Sequence, residues 1–227
     1  MGAGSPAADP AQVGLGAAKG GYPTKALNEF LHVDTTEWPL ANEDVAYIAL
    51  VSDNFSKAIL GWSVSLRNNA ANVITALNKA IGMMVRDHPE QIATVLVSDG
   101  GPENMAAEVQ ELLAAQAHPA VRHIIAQKDI RFSNSPIEAV NKIMKGYLRN
   151  LAPQTIAATE QAIAFAVHDY SEVRPHGSLK GVIPLERYIN PSFTLAPPDL
   201  KAAQAQRIAE NRKANCIMQN KIGECRS

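Results

Sequence analysis

The chain has 227 residues, 46% of them hydrophobic, and a formal net charge of −1. That is enough apolar material for one good core with appendages or for two small domains. With no run of eighteen apolar residues and no basic start followed by an apolar stretch, neither a helical membrane span nor a secretory signal is expected, which leaves the cytoplasm as the default location. The near-neutral total argues against a dedicated nucleic-acid binder, but the charge is unevenly placed. Residues 1–119 hold 6 basic and 13 acidic side chains, net −7; residues 120–190 hold 9 and 6, net +3; residues 191–227 hold 6 and 3, net +3. Such a chain has an acidic half able to collect cations and a basic half able to meet a polyanion. Cys216 and Cys225 sit in a polar tail without a spaced framework, so free thiols are expected rather than a disulfide or a zinc site.

Residues 1–26 are rich in Gly, Ala and Pro without period and read as a flexible lead-in. From Leu27 to Thr36 the pattern is that of a strand, with Leu31, Val33 and Thr35 on one face and Phe30, His32 and Asp34 on the other. VAYIALVS (45–52) and KAILGWSVSL (57–66) follow, joined by the turn Asp53-Asn54-Phe55-Ser56, a hairpin in which Asp53 is a turn residue. Residues 70–87 change to helical period, with Val73, Leu77, Ile81 and Met84 on one face and Asp87-His88-Pro89 as the stop. TVLV (94–97) is too short for a helix and reads as a buried strand ending at Asp99; a helix over Glu103 to Ala117 and a fifth strand over Ala120 to Ala126 come next. Asn104, in the first turn after Asp99, is expected on the solvated surface, as is Glu103.

The stretch NSPIEAVNKIMKGYLR (134–149) opens the next helix. Ser135 as N-cap, Pro136 at the first helical position and Glu138 three residues after the cap would make a capping box. At roughly 100° per residue, Glu138, Lys142, Lys145 and Arg149 form one stripe within about 60°, opposite a core face of Val140, Ile143, Met144, Tyr147 and Leu151. A further helix is expected from Thr155 to about Tyr170, a loop over 172–188, and a thin-striped last helix over 199–214. The order β-β-β-α-β-α-β-α predicts an α/β fold: a mixed five-stranded sheet, three strands antiparallel and the later ones parallel, flanked by helices. The core is expected over 27–190 and a partly helical tail over 191–227.

Three acids fall at chemically useful places. Asp34 lies on the first strand, Asp99 directly follows the fourth, where sites form in open α/β sheets, and Glu138 opens the helix after the fifth. Each alone has an ordinary explanation: an acid on an exposed strand face, a turn acid before two glycines, a cap partner. Together they could hold two hard divalent ions, which take oxygen ligands and keep several waters. Lys142, Lys145 and Arg149 would then continue from Glu138 along a phosphate backbone. Arg174 is a further phosphate candidate, with pairing to Asp169 or Glu172 as the alternative, and His176 could touch DNA or be structural.

HVDTTEW (32–38), VSDNFSKAILGW (51–62), LVSDGGPEN (96–104), FSNSPIEAVNKIMK (132–145) and HDYSEVRPHGSLKGVIPLERY (168–188) resemble, in this order, the integrase catalytic core of bacterial insertion-sequence transposases, relatives of the retroviral integrases. The resemblance implies an RNase H-like fold and a DDE-type DNA transposase/integrase: Mg²⁺-dependent cleavage at a DNA end, then strand transfer. By position it makes Asp34, Asp99 and Glu138 the catalytic, metal-holding acids for two Mg²⁺ ions, with Mn²⁺ as substitute, and Lys142, Lys145, Arg149, Arg174 and His176 DNA contacts. It further implies DNA partners, transposon ends and target, a homo-oligomer on DNA, and a bacterial, nucleoid-associated location when bound. The 38 residues between Asp99 and Glu138 exceed the usual family spacing slightly. A helix-turn-helix region normally precedes this core, whereas here a Gly/Ala/Pro-rich lead-in stands there, which implies either that recognition sits on a separate helix-turn-helix subunit or that the gene is a remnant. The alternatives are a remnant that binds DNA or a partner transposase without catalysis of its own, and an unrelated α/β phosphohydrolase, which fits the acids but neither the leading hairpins nor the basic stripe.

Overall fold

The structure, a computed structural model, describes residues 24–41, 43–126, 134–195 and 208–210. The chain divides into two units, 1–193 and 194–227. In the second, residues 208–210 are helical; the rest of the expected last helix, both cysteines and residues 1–23 of the lead-in lie outside the described residues.

Five strands build the sheet: β1 (Phe30–Pro39), β2 (Val45–Asp53), β3 (Ile59–Ser65), β4 (Ala93–Ser98) and β5 (Ala120–Ile125). They lie in the order β3-β2-β1-β4-β5. β1, β2 and β3 pair antiparallel, while β4 pairs parallel to β1 and β5 parallel to β4. This is the mixed sheet that the alternation of periods implied, in the arrangement of the RNase H-like fold that the resemblance implied. The hairpin turn between β2 and β3 is closed by Asp53, whose Oδ2 accepts from the amide and the hydroxyl of Ser56, both at 2.6 Å. Its Oδ1 accepts from the Asn28 amide at 3.0 Å, tying the approach to β1 to the same turn. Asp53 is thus a turn residue, fully buried, and burial pushes its carboxyl above the usual range.

Six α-helices accompany the sheet among the described residues of the first unit: α1 (Ala70–Asp87), α2 (Pro102–Met105), α3 (Ala107–Ala115), α4 (Ser135–Leu151), α5 (Ile156–His168) and α6 (Pro184–Ile189). Period-two alternation divides the strand residues between two cores. Leu31, Val33, Ala49 and Val51 face Val73, Leu77 and Met84 of α1 and Val109 and Leu113 of α3. Ile48, Leu50 and Ile59 face Ile137, Met144 and Leu148 of α4 and Ile163 and Ala166 of α5. Where α1 crosses β3 the backbones meet at Gly61, where a Cβ would collide with the carbonyl oxygen of Ala76. None of the described helices is long and apolar enough to cross a membrane.

Several expectations need correction. The helix over 103–117 is broken at Ala106, which is extended (ψ 146°). Asn104, expected on the surface, is turned inward and only 1% exposed, its side chain bonding Asp99 across the bend. Leu151 is 49% exposed, because α4 ends there in a left-handed Ala152. The stretch 172–188 is not a loop throughout: a π turn over Asp169–Val173, a 3-10 turn over Gly177–Leu179 and α6 occupy it. α6 is held by burial that its six residues cannot advertise as a period. Tyr188 is fully buried against the α1 side, its ring edge-on to His88 at 4.9 Å, and its carbonyl oxygen bonds His88 Nε2 at 2.9 Å.

Candidate active site

β1 and β4 run parallel with His32 beside Val97. The pairing ends there; Asp34 follows two residues later on β1 and Asp99 directly after the end of β4, near enough for the charge of Asp99 to act on Asp34. Asp34 lies opposite Leu50 on β2, which packs toward α4 and α5, so its side chain belongs to the α4 face. From that helix Asn141 Nδ2 donates to Asp34 Oδ2 at 2.7 Å, and the Thr35 amide donates to Oδ1 at 3.0 Å. Asp99 Oδ1 accepts from the Gly101 amide at 3.0 Å and from Asn104 Nδ2 at 2.8 Å.

The three acids share one electrostatic neighbourhood. The Asp34 carboxyl is raised from its ordinary 3.8 to about 6, first by burial, then by the negative charge of Asp99, with Glu138 adding a smaller push against the two hydrogen bonds. A carboxylate held in this way favours a cation close by. The donor set is all oxygen, which suits a hard divalent ion. Among the described residues no three His, Cys, Asp or Glu side chains lie close enough to enclose a metal ion. Of the two other acids, Asp99 acts on Asp34 more strongly than Glu138 does.

α4 starts one residue earlier than the capping box requires. Its N-cap is Asn134, which makes no side-chain cap bond. The Asn134 side chain is engaged elsewhere: its Oδ1 lies 3.4 Å from His32 Nδ1, so that ring nitrogen carries the proton. Burial drives His32 down to about 4, with Asn134 opposing and the Lys57 charge adding to the fall, so the ring is neutral and serves as a buried tie between β1 and α4. Glu138 lies four residues past the cap and is exposed. Of the stripe beyond it, Lys142 and Arg149 are exposed and Lys145 half-buried.

Arg174 is exposed and donates to the Tyr147 hydroxyl at 3.3 Å, which in turn donates to Asp169. The alternative pairing of Arg174 with Asp169 thus runs through Tyr147, and Glu172 is taken by His168 at 3.1 Å. His176 is half-buried, with Nδ1 2.9 Å from the Ser178 hydroxyl and its ring edge-on to Tyr170. Burial, then the charges of Lys57 and Arg174, depress it. Neither Arg174 nor His176 is bonded to any of the three acids.

Sequence reasoning missed the two asparagines. Asn141 had a signal: it lies between Val140 and Met144 on the apolar side of an amphipathic helix, where an amide needs a partner. Asn104 had none, since its inward turn depends on the break at Ala106. Around Asn104 a closed circuit of hydrogen bonds secures the end of β4. The Ser98 hydroxyl donates to the Asp99 carbonyl at 2.8 Å and lies 2.8 Å from His123 Nε2. Gln110 Nε2 reaches His123 Nδ1 at 3.0 Å and the Asn104 carbonyl at 3.3 Å. Burial favours the neutral His123 ring, and the hydrogen bonds around it balance with its proton on Nε2.

Residues 25–133 match the family described as Integrase core domain. The matched stretch, just under half of the chain, is similar to an integrase core domain. That family is one of polynucleotidyl transferases, and the match takes in Asp34 and Asp99 while α4, with Glu138 and the basic stripe, lies beyond it. The fold is similar to the HTLV-2 integrase catalytic core domain solved in complex with magnesium in a trimeric form, at 18% identity and a TM-score of 0.54, covering 70% of this chain and 95% of that one. It is also similar to a chain of the simian T-cell lymphotropic virus intasome solved in complex with a PP2A regulatory subunit, at 17% identity and a TM-score of 0.60, covering 78% of this chain and 61% of that one. At these identities the likeness is one of fold. No curated protein matches the chain.

Proposed function

We propose that the integrase-like core of this chain is the catalytic core of a DDE-type transposase of the insertion-sequence kind, which cleaves at a DNA end and then joins the freed 3′-hydroxyl to a target phosphodiester. One observation carries the reading: the partly buried carboxyl of Asp34, on a central strand, is raised first by burial and then by the charges of Asp99, just after β4, and Glu138 of α4. Asp34 and Asp99 would hold divalent metal, Mg²⁺ or Mn²⁺, with Glu138 as the third acid of a two-ion site. Bound there, the ions would lower the pKa of the attacking water or hydroxyl and stabilise the leaving oxygen. The magnesium in the solved HTLV-2 core supports the choice of metal.

The chain's own residues supply the rest. Thr35 and Asn141 orient Asp34, and Gly101 and Asn104 orient Asp99. Lys142, Lys145 and Arg149 follow Glu138 along α4 and would neutralise successive phosphates of the DNA strand, with Arg174 and His176 as outlying contacts. Assembly on the transposon ends would use more than one copy of the chain, with end recognition on a separate helix-turn-helix subunit.

A second reading, DNA binding without independent catalysis, is favoured by the absence of a three-ligand metal cluster among the described residues. Glu138→Gln separates the two. The catalytic reading expects loss of Mg²⁺- or Mn²⁺-dependent nicking of end-containing DNA with melting temperature and DNA affinity nearly unchanged. Nicking at the wild-type rate refutes the assignment of Glu138, and a wild-type chain that binds DNA but never nicks it supports the second reading.

A further inference from the structure

Each of the two aspartates is gripped by a buried asparagine from a helix, Asp99 from α2 directly after it and Asp34 from α4 far along the chain. Asn141, 7% exposed, donates to Asp34 Oδ2 at 2.7 Å; Asn104, 1% exposed, donates to Asp99 Oδ1 at 2.8 Å. In both asparagines the other half of the amide, Oδ1, is buried without a hydrogen-bond partner among the described residues. Leaving a buried carbonyl unpaired is costly, and a leucine would fill nearly the same volume without that cost. Packing alone therefore does not account for an amide at either position.

We propose that Asn104 and Asn141 are positioning residues for the metal-holding pair, fixing the carboxylates of Asp99 and Asp34 through neutral donors. The inference rests on the divalent-metal reading above and deepens it. The choice of donor matters. A lysine or arginine at either place would orient the carboxylate equally well but would cancel the negative charge a cation needs, and would compete with it for the same oxygen. A carboxamide donates one hydrogen bond with no net charge, so it restricts the side chain's rotation while leaving its attraction for a cation intact. Groups of this kind, behind the ligands proper, tune metal affinity by holding ligand geometry.

The surroundings fit the role. Asn104 is itself held through its carbonyl by Gln110, within the circuit through His123 and Ser98 that ends on the Asp99 carbonyl. Asp99 is thus fixed at both its side chain and its backbone. Asn141 stands one turn beyond Glu138 on α4, so the helix that brings the third acid also aligns the first. This couples the position of α4 to the orientation of Asp34: a shift of the helix moves Glu138 and the grip on Asp34 together.

The test compares the full chain with Asn104→Leu and Asn141→Leu, and reads Mn²⁺ affinity by electron paramagnetic resonance in the absence of DNA. Positioning expects each variant to bind Mn²⁺ about tenfold more weakly, within the range typical for groups behind metal ligands, while its circular dichroism and metal-free melting temperature match or exceed the wild type. Should a leucine variant fail to fold, Asn→Ser at the same position takes its place with the same expectation. Folded variants whose Mn²⁺ affinity stays within about twofold of wild type overturn the role of the asparagines and leave the proposed function standing. A wild-type chain that binds no Mn²⁺ overturns the metal reading and this inference with it.

Discussion

Replacing Asp34 with Asn should make the protein more stable at neutral pH while ending any metal-dependent chemistry. Asp34 is raised from 3.8 to about 6 by burial and by Asp99 and Glu138, so its charged form is penalised in the folded chain. At about 1.4 kcal/mol per pH unit the full penalty would approach ~3 kcal/mol; because the side chain is only partly enclosed, water screens a good part of it, and ~1–2 kcal/mol is the expectation. For a domain of this size that corresponds to a melting temperature about 2–8 °C higher. The new amide keeps an oxygen for the Thr35 amide, and Asn141 can turn its own carbonyl to the new amino group, so both hydrogen bonds have a counterpart. The sign follows from linkage. At low pH the acid is neutral in both folded and unfolded chains and the penalty is absent. As pH rises through 3.8 the unfolded chain ionises first and stability falls, and above about 6 the loss is complete. Scanning calorimetry without metal should show the variant above the wild type at pH ~7.5, with the gap shrinking to about one third at pH ~4.5. Added Mg²⁺ or Mn²⁺ should raise the wild type and not the variant. A variant that melts at or below the wild type at pH ~7.5, or a gap indifferent to pH, would refute the reasoning.

Lys142→Ala with Lys145→Ala should weaken DNA binding by a similar factor for all sequences and reduce the slope of log affinity against log salt by up to about 2, near 0.9 for each phosphate no longer neutralised; a filter-binding titration over salt reads this, and an unmoved slope means the lysines are merely solvated. Gly61→Ala drives a methyl into the Ala76 carbonyl, which should force α1 off β3 and cost about 3 kcal/mol or more in urea unfolding; a loss below ~1 kcal/mol would show that the helix slides aside freely.

Much of the fold follows from local pattern. Alternation along β1 assigned Leu31 and Val33 to one face and His32 and Asp34 to the other, and the structure keeps that division. The helical period of 70–87 and of 135–151 marked α1 and α4 because each buries a long stripe on the sheet. Short pieces were illegible: α6 has six residues, too few for a period, and exists because Tyr188 finds a pocket beside His88. The first residue of α4 was misread because Asn134, freed from capping by its bond to His32, takes the place that Ser135 would have filled.

For the site, the chain order announced that Asp34 and Asp99 stand on strand positions suited to chemistry, since acid type and strand ends are written locally. Only the tertiary structure brought the charge of Asp99 to bear on Asp34, by laying β4 parallel beside β1, a pairing between segments far apart in the chain that no local period encodes. It alone decided the grip of Asn141 and Asn104, because a hydrogen bond across helix and sheet depends on which residues the packing turns inward. Identity of side chains sets what a site can do; burial and register set which of them meet and with what charge.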